Sequence, residues 1–272
     1  SNTIYQNPLT PVIGIGGDSG AGKSTLLSDL TQLLNTDQNV TIREFETDGY
    51  HKWERGHEKW SQYTHLDPKA NHLHELAEQV IKLKSGKKII RREYDHSSGT
   101  FTPLKVIPPG DFIILCGLHP FYLPKMRKAI DFKIFMDTHT TLRQHWKIAR
   151  DTKKRNHCQD SIKKQIADRY DDSQKYISPQ KSFSDIVISY YSEDNFIPGE
   201  NSPPELKLKV TLNANIAINN IVETLRNLDN NLEWDYADDL SSQYVILHHP
   251  IPDNHLNNAL KQSIKNPEDF VG

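Results

Sequence analysis

The sequence predicts an α/β fold, a mostly parallel sheet with helices on both faces, followed by a small α+β extension at the C-terminus. Three observations predict it. Short continuous apolar runs at residues 11–15, 112–116 and 185–188 have the length and evenness of strands buried on both faces. Helical 3.6-residue periodicity separates them, most clearly over 72–84 and 140–156. A glycine-rich turn joins the first apolar run to the first helical pattern, residues 26–34.

That turn reads Gly16-Gly17-Asp18-Ser19-Gly20-Ala21-Gly22-Lys23-Ser24-Thr25. From Gly17 the spacing is G-x-x-x-x-G-K-S in a strand–loop–helix setting, the context a P-loop motif requires. Glycines let such a loop turn its backbone N–H groups inward around phosphate oxygens, and the helix behind it adds its positive end. Residues Gly17, Asp18, Ser19, Gly20, Ala21, Gly22, Lys23, Ser24 and Thr25 are therefore the expected nucleotide-binding set. Lys23 is suited to the β- and γ-phosphates and Ser24 to Mg²⁺. A nucleoside triphosphate with Mg²⁺ is the ligand implied.

A second strand is expected over 40–46, ending at the turn Thr47-Asp48-Gly49-Tyr50-His51. Residues 52–71 are polar, aromatic and basic without a period, which predicts a long loop with short helical pieces. A strand is expected over 87–94, then a turn over 95–99, and Pro108-Pro109-Gly110 breaks the chain before the run at 112–116. Further strands are expected over 129–136 and 185–188, with helices over 140–156 and 160–170. Beyond Glu193 the character changes. A Pro/Gly/Asn loop at 195–204 leads to an alternating strand at 206–212, a helix at 216–228 and an acidic irregular stretch at 229–239. A strand at 243–247 and a short helix at 256–264 close the chain. The expected division is a P-loop core at 11–192 and an extension at 193–272 packed on it.

Composition narrows the class. The chain has 272 residues, 36% hydrophobic and 25% charged, with a net charge of −2. That balance gives no electrostatic case for nucleic acid or an anionic membrane. No apolar run approaches a membrane span, and residues 1–6 have neither the basic region nor the apolar core of a secretory signal, so a cytoplasmic location is the expectation. Two cysteines, Cys116 and Cys158, make neither a disulfide framework nor a zinc site. Thirteen histidines include no helical H-x-x-x-H pair with a third ligand, so no metal is expected beyond that of the nucleotide; His248-His249 is expected at the surface.

In open parallel sheets ligands bind beyond the carboxyl ends of the strands. The strand ends here carry Gly17 to Ser24, Asp48 to His51 and Cys116 to His119. Asp48 is the expected general base, taking a proton from a substrate hydroxyl. Tyr50, His51, Arg55, Arg91, Arg92, Tyr94 and His96 are expected to form a wall for a substrate with phosphate and hydroxyl groups. On the helix from Thr140, Arg143, Lys147, Arg150 and Lys154 form one basic stripe, extended by Lys153 and Arg155. Leu142, Trp146 and Ala149 form its apolar face. Such a stripe is a solvated face by default; beside a transferring phosphoryl group it can act as a lid that neutralises charge.

Six ordered segments carry a resemblance to a known family. They are Asp48-Gly49-Tyr50-His51 with Arg55, Leu66-Asp67-Pro68-Lys69-Ala70-Asn71, Tyr94-Asp95-His96-Ser97-Ser98-Gly99, Gly117-Leu118-His119-Pro120, Trp146-Lys147-Ile148-Ala149-Arg150-Asp151 and Tyr176-Ile177-Ser178-Pro179-Gln180-Lys181. From about Val12 to about Ile188 the chain resembles the phosphoribulokinase/uridine kinase family of P-loop kinases, most closely the phosphoribulokinases of plant, cyanobacterial and archaeal type. The resemblance implies ATP-dependent phosphorylation of a hydroxyl on a sugar or sugar phosphate, with ribulose 5-phosphate as first acceptor and a nucleoside as alternative. It implies Asp48 as base and Lys23 and Arg150 as charge stabilisers. Arg55, Tyr94 and His96 fall on the acceptor side, with Tyr50, His51, His119 and Lys181 as further substrate contacts. A homo-oligomer is compatible with it. The chain departs from the family twice. Cys116 stands where the family has Glu before Gly-Leu-His-Pro, and a thiol is a poor ligand for a hard cation. Asp48 or Glu46 would then serve Mg²⁺ beside Ser24, or catalysis is impaired and the chain is a nucleotide-binding regulator. Ala21 stands where the plant-type enzymes carry a regulatory Cys, so thiol–disulfide control is not expected.

Overall fold

Alternation along one strand sets the architecture. In the run 112–117, Ile113 and Leu115 turn to one face and Ile114 and Cys116 to the other, and all four are buried. Both faces of this strand are therefore covered by apolar layers. The computed structural model describes residues 9–35, 40–155, 158–199 and 204–248. The first part of the chain runs β1 (Val12–Gly17), α1 (Lys23–Leu34), β2 (Ile42–Glu46), α2 (Leu73–Lys84), β3 (Ile89–Arg91), β4 (Tyr94–Asp95), β5 (Thr100–Phe101), β6 (Lys105–Ile107) and β7 (Phe112–Gly117). There follow α3 (Pro124–Ala129), β8 (Phe132–Met136), α4 (Thr140–Arg155), α5 (Gln159–Asp168), a single turn α6 (Tyr170–Asp172) and β9 (Ile186–Tyr191). The last elements are β10 (Lys207–Asn213), α7 (Asn219–Arg226), β11 (Glu233–Tyr236) and β12 (Ser242–Leu247).

Eight strands form one sheet in the order β11-β12-β10-β9-β8-β1-β7-β2. From β9 to β2 every pairing is parallel, and β10, β12 and β11 add antiparallel beyond β9. On one face α2 and α3 supply Leu76, Val80, Leu83 and Met126 against Phe45, Ile113 and Leu115. On the other, Leu27 of α1 packs with Ile15, Ile114, Cys116 and Met136. A third cluster, Leu212, Val222, Leu225 and Val245, holds α7 against β10 and β12.

Several boundaries differ from the sequence expectation. The strand expected over 87–94 is two short strands that pair with different partners, β3 with β6 and β4 with β5. The break falls where Arg91 turns inward and lies over the rings of Phe45 and Tyr50. The strand expected from residue 129 begins at Phe132, because Pro124 sits in the first turn of a short helix that ends at Ala129. The helix expected over 160–170 stops at Asp168, and 173–183 continue as irregular helical turns. The acidic stretch 229–239 contains β11. The helix expected over 256–264 lies outside the described residues. No helix among the described residues is long and apolar enough to cross a membrane.

Candidate active site

Three strand ends meet at one edge of the sheet, because β7 lies between β1 and β2. The first carries the phosphate loop. Gly22 caps α1 in the left-handed region, at φ 97°, and no side chain caps the helix or places an acid in its first turn. The N-terminal amides and positive end of α1 are thus left to the loop side, the arrangement that favours anions. Lys23 Nζ donates to the Asp18 carbonyl oxygen at 2.8 Å. The Asp18 carboxylate accepts from Ser19 N at 2.6 Å, from Arg143 at 2.6 Å and from the Ser173 hydroxyl. Thr138 Oγ1 donates to the Ala21 carbonyl oxygen at 2.8 Å. The loop is thereby tied to α4 and to the turn after α6.

The second end carries Asp48 on the turn Thr47–Tyr50. Thr47 docks that turn on the end of β7: its hydroxyl oxygen accepts from Leu118 N at 2.9 Å and lies 3.3 Å from Asp48 Oδ1. Gly117 makes the docking feasible. A Cβ there would stand 2.0 Å from Thr47 Oγ1, at a φ of 149° that side chains rarely adopt. Asp48 is half-buried. Burial works to raise its pKa, but the Lys23 ammonium, with His51, His96 and His119, outweighs it and holds the carboxyl below its ordinary range. Glu46, two residues earlier, is pushed up by desolvation and by the Asp48 charge, although its side chain reaches solvent. Its register partner on β7 is Cys116. That thiol is buried and pushed up to about 12, chiefly by desolvation.

On the acceptor wall the structure brings together some of the expected residues. The ring of His51 meets Tyr94 at 5.1 Å and His96 at 5.5 Å. Arg55 holds the loop that presents them, donating to the carbonyl oxygen of His96 at 2.6 Å. Others are placed elsewhere. Tyr50 is buried and its hydroxyl donates to Gln79 of α2 at 2.6 Å, so it serves packing. Arg91 is buried with its guanidinium 4.3 Å from the centre of the Tyr50 ring, and Arg92 lies over Phe101. His119 is buried with Nε2 2.8 Å from the Leu66 carbonyl oxygen. Lys181 is half-exposed and pairs with Asp137 at 2.6 Å. His248 pairs with Glu233, and His249 lies outside the described residues. Two residues missed by sequence reading join the wall: His65, bonded to His51, and Trp60, 4.0 Å from the His65 ring.

Two residues of the basic stripe, Arg143 and Lys147, turn away from solvent. Arg143 reaches Asp18, and Lys147 is buried beside Gly20, whose Cβ would meet the Lys147 Cβ at 3.2 Å. Burial pushes the Lys147 ammonium down to about 8, with Arg169 adding to the effect. Arg169 faces Asp18, Asp48 and Asp151 and lines a cavity with Asp18, Arg143, Lys147 and Ser173. Arg150 pairs with its neighbour Asp151 at 2.8 Å. The side chains of Lys153, Lys154 and Arg155 lie outside the described residues. The apolar side differs too: His145 and Ile148 are buried with Leu142, while Trp146 packs against Tyr190. A helix wedged between the phosphate loop and α5 has two buried sides, which the 3.6-residue pattern alone did not separate.

Comparison with known proteins places this arrangement. The sequence model of the phosphoribulokinase/uridine kinase family matches residues 12–196. The chain is 36% identical over 215 residues to a chloroplastic phosphoribulokinase of Spinacia oleracea, covering 74% of this chain and 53% of that one. It is 30% identical over 189 residues to a uridine kinase of Staphylococcus aureus, covering 66% of this chain and 87% of that one. The chain therefore spans about half the length of the phosphoribulokinase relatives it matches. Among solved structures, a phosphoribulokinase from Rhodobacter spheroides superposes with a TM-score of 0.72 at 19% identity, covering 97% and 98% of the two chains. At that identity the likeness is one of fold.

Proposed function

This chain belongs to the phosphoribulokinase/uridine kinase family, and we propose that it transfers the γ-phosphoryl group of Mg·ATP to a hydroxyl of a sugar or sugar phosphate, with ribulose 5-phosphate as the first candidate. The observation that carries this reading is the placement of the phosphate loop and Asp48 at the ends of β1 and β2, either side of β7, with the Lys23 ammonium favouring the ionised Asp48 carboxylate. The acceptor hydroxyl oxygen attacks the γ-phosphorus as the bond to the β–γ bridging oxygen breaks. ADP leaves and the hydroxyl proton passes to Asp48. Lys23, Arg143 and Lys147 face the phosphate loop and are the cations suited to the charge on the transferring group. Arg150, paired with Asp151, would contribute on lid movement. Release of ADP in the presence of an acceptor tests the reading. A nucleoside is the second acceptor class, on the strength of the uridine kinase relative. The enzyme core at 11–192 would hold the whole site, with 193–272 as a packed extension.

Mg²⁺ needs hard oxygen ligands. Ser24, Asp48 and Glu46 offer them; Cys116, protonated and buried, does not. When bound with ATP the ion supplies charge neutralisation on the phosphates. Glu46, the register partner of Cys116, would be the carboxylate that takes the ion and leaves Asp48 to act as base. Replacing Glu46 by Gln is expected to raise the Mg²⁺ concentration needed for tight ATP binding, read by calorimetry, by ~10-fold or more. Adding Cys116→Glu should recover much of that loss. An unchanged Mg²⁺ requirement in Glu46→Gln excludes the assignment.

Lys147 predicts an alkaline limit. Its cation is present below about 8 and lost above. The ratio kcat/KM, which reports the free enzyme, should therefore fall as pH rises through that value. Lys147→Arg keeps its charge and should move the limit upward; an identical profile in the variant contradicts the role.

A further inference from the structure

The acceptor wall holds a pair of imidazoles whose proton positions are fixed by their surroundings. His65 Nδ1 lies 2.9 Å from His51 Nε2, and His51 Nδ1 lies 2.7 Å from Asn71 Oδ1. Asn71 decides which atoms carry hydrogen. Its Nδ2 stands 3.1 Å from the carbonyl oxygen of His65 and 2.9 Å from that of Asp67. Carbonyl oxygens only accept, so the amide nitrogen belongs on that side and the amide oxygen faces His51. An amide oxygen also only accepts, so His51 Nδ1 carries the hydrogen. In a neutral ring the other nitrogen is then bare, so His51 Nε2 accepts and His65 Nδ1 donates. The pair is neutral at physiological pH: burial pushes His51 down to about 4 and His65 down to about 3.

Both nitrogens of His51 are thereby used inside the protein. His65 Nε2 is left bare, without a hydrogen-bond partner among the described residues, and it is not one of the side-chain atoms sealed from water. The ring that bears it is held at 4.0 Å by Trp60, whose indole N–H donates to the Glu54 carbonyl oxygen at 3.0 Å. Among the described residues no group of three His, Cys, Asp or Glu side chains is placed to hold a metal ion.

We infer that His65, and not His51, is the imidazole this wall offers to the acceptor, as a neutral hydrogen-bond acceptor for a hydroxyl, with His51 and Asn71 acting as positioning residues. A bare uncharged nitrogen welcomes an O–H donor and has nothing to give a phosphate oxygen, which only accepts. The pair therefore selects for a hydroxyl-bearing part of the acceptor, and any acceptor phosphate must be met by cations elsewhere. This inference rests on the kinase reading for the nature of the ligand, and on hydrogen-bond geometry between neutral rings for the tautomers.

Two-bond ¹H–¹⁵N correlation spectra of the ¹⁵N-histidine-labelled protein test the tautomers without any turnover. The expected result at neutral pH is the Nδ1–H form for both His51 and His65. An Nε2–H form at either ring overturns the inference whether or not the protein is a kinase. With an active acceptor in hand, His65→Asn retains a donor near Nδ1 but loses the Nε2 position, and should raise KM by ~10-fold with kcat little changed. His65→Gln, which can bring a carbonyl oxygen to that position, should recover most of the loss. Equal KM values for the two variants, or a loss confined to kcat, would contradict the proposed contact.

Discussion

Asn at position 48 is expected to lower kcat by ~10³-fold, within the range that a positioned general base contributes, while Mg·ATP still binds. The replacement is close in shape, so the Thr47 anchor on Leu118 N survives and the turn keeps its place on β7. What is lost is the carboxylate that Lys23 keeps ionised. Because that pKa lies below the ordinary range, the wild-type rate should show no acid limb from Asp48 near neutrality. Stopped turnover with ATP affinity intact is the signature, read by ADP release and by calorimetric titration of the same preparations. Asp48→Asn with wild-type kcat would remove Asp48 from the chemistry.

Lys23→Ala should be nearly as damaging, with a loss of ~10²-fold or more in kcat, the usual cost of deleting one preorganised cation or donor at developing charge. It carries a second consequence. Lys23 is the leading favourable charge at Asp48, so its removal should raise the Asp48 pKa and bring an acid limb into the residual rate. Lys23→Arg should retain part of that electrostatic effect. A Lys23→Ala enzyme with normal kcat and an unmoved pH profile contradicts the use of the phosphate loop proposed above.

Contiguous features were legible in the sequence. The phosphate loop, the run at 112–116 and the Asp48 turn are each written in neighbouring residues, and the parallel sheet followed from apolar runs separated by helical periods. What was not legible depends on contacts between distant parts of the chain. Tyr50 and Arg91 looked like wall residues because aromatic and basic side chains suit a sugar phosphate. Folding stacks them on each other, next to Phe45, because β3 turns inward there. His65 shares no short motif with His51, fourteen positions away, and their bond exists only because Asn71 bridges back to the Asp48 turn. The stripe on α4 named the right helix, yet periodicity could not tell Arg143 and Lys147, which meet the phosphate loop, from Arg150, which pairs with Asp151. Arg169 follows an amphipathic helix and has no signature of its own; only the fold places it opposite Asp18 and Asp48.

The measurement that bears most directly on the central claim is ADP release from Mg·ATP across a panel of hydroxyl acceptors, run beside the Asp48→Asn protein. Pentulose phosphates, pentoses, nucleosides, pantothenate and glycerate span the acceptor classes. Acceptor-dependent turnover is expected, greatest with a sugar phosphate and lower by about three orders of magnitude in Asp48→Asn. Tight Mg·ATP binding with no acceptor raising turnover above the Asp48→Asn background would contradict the central claim and leave a nucleotide-binding protein without kinase chemistry.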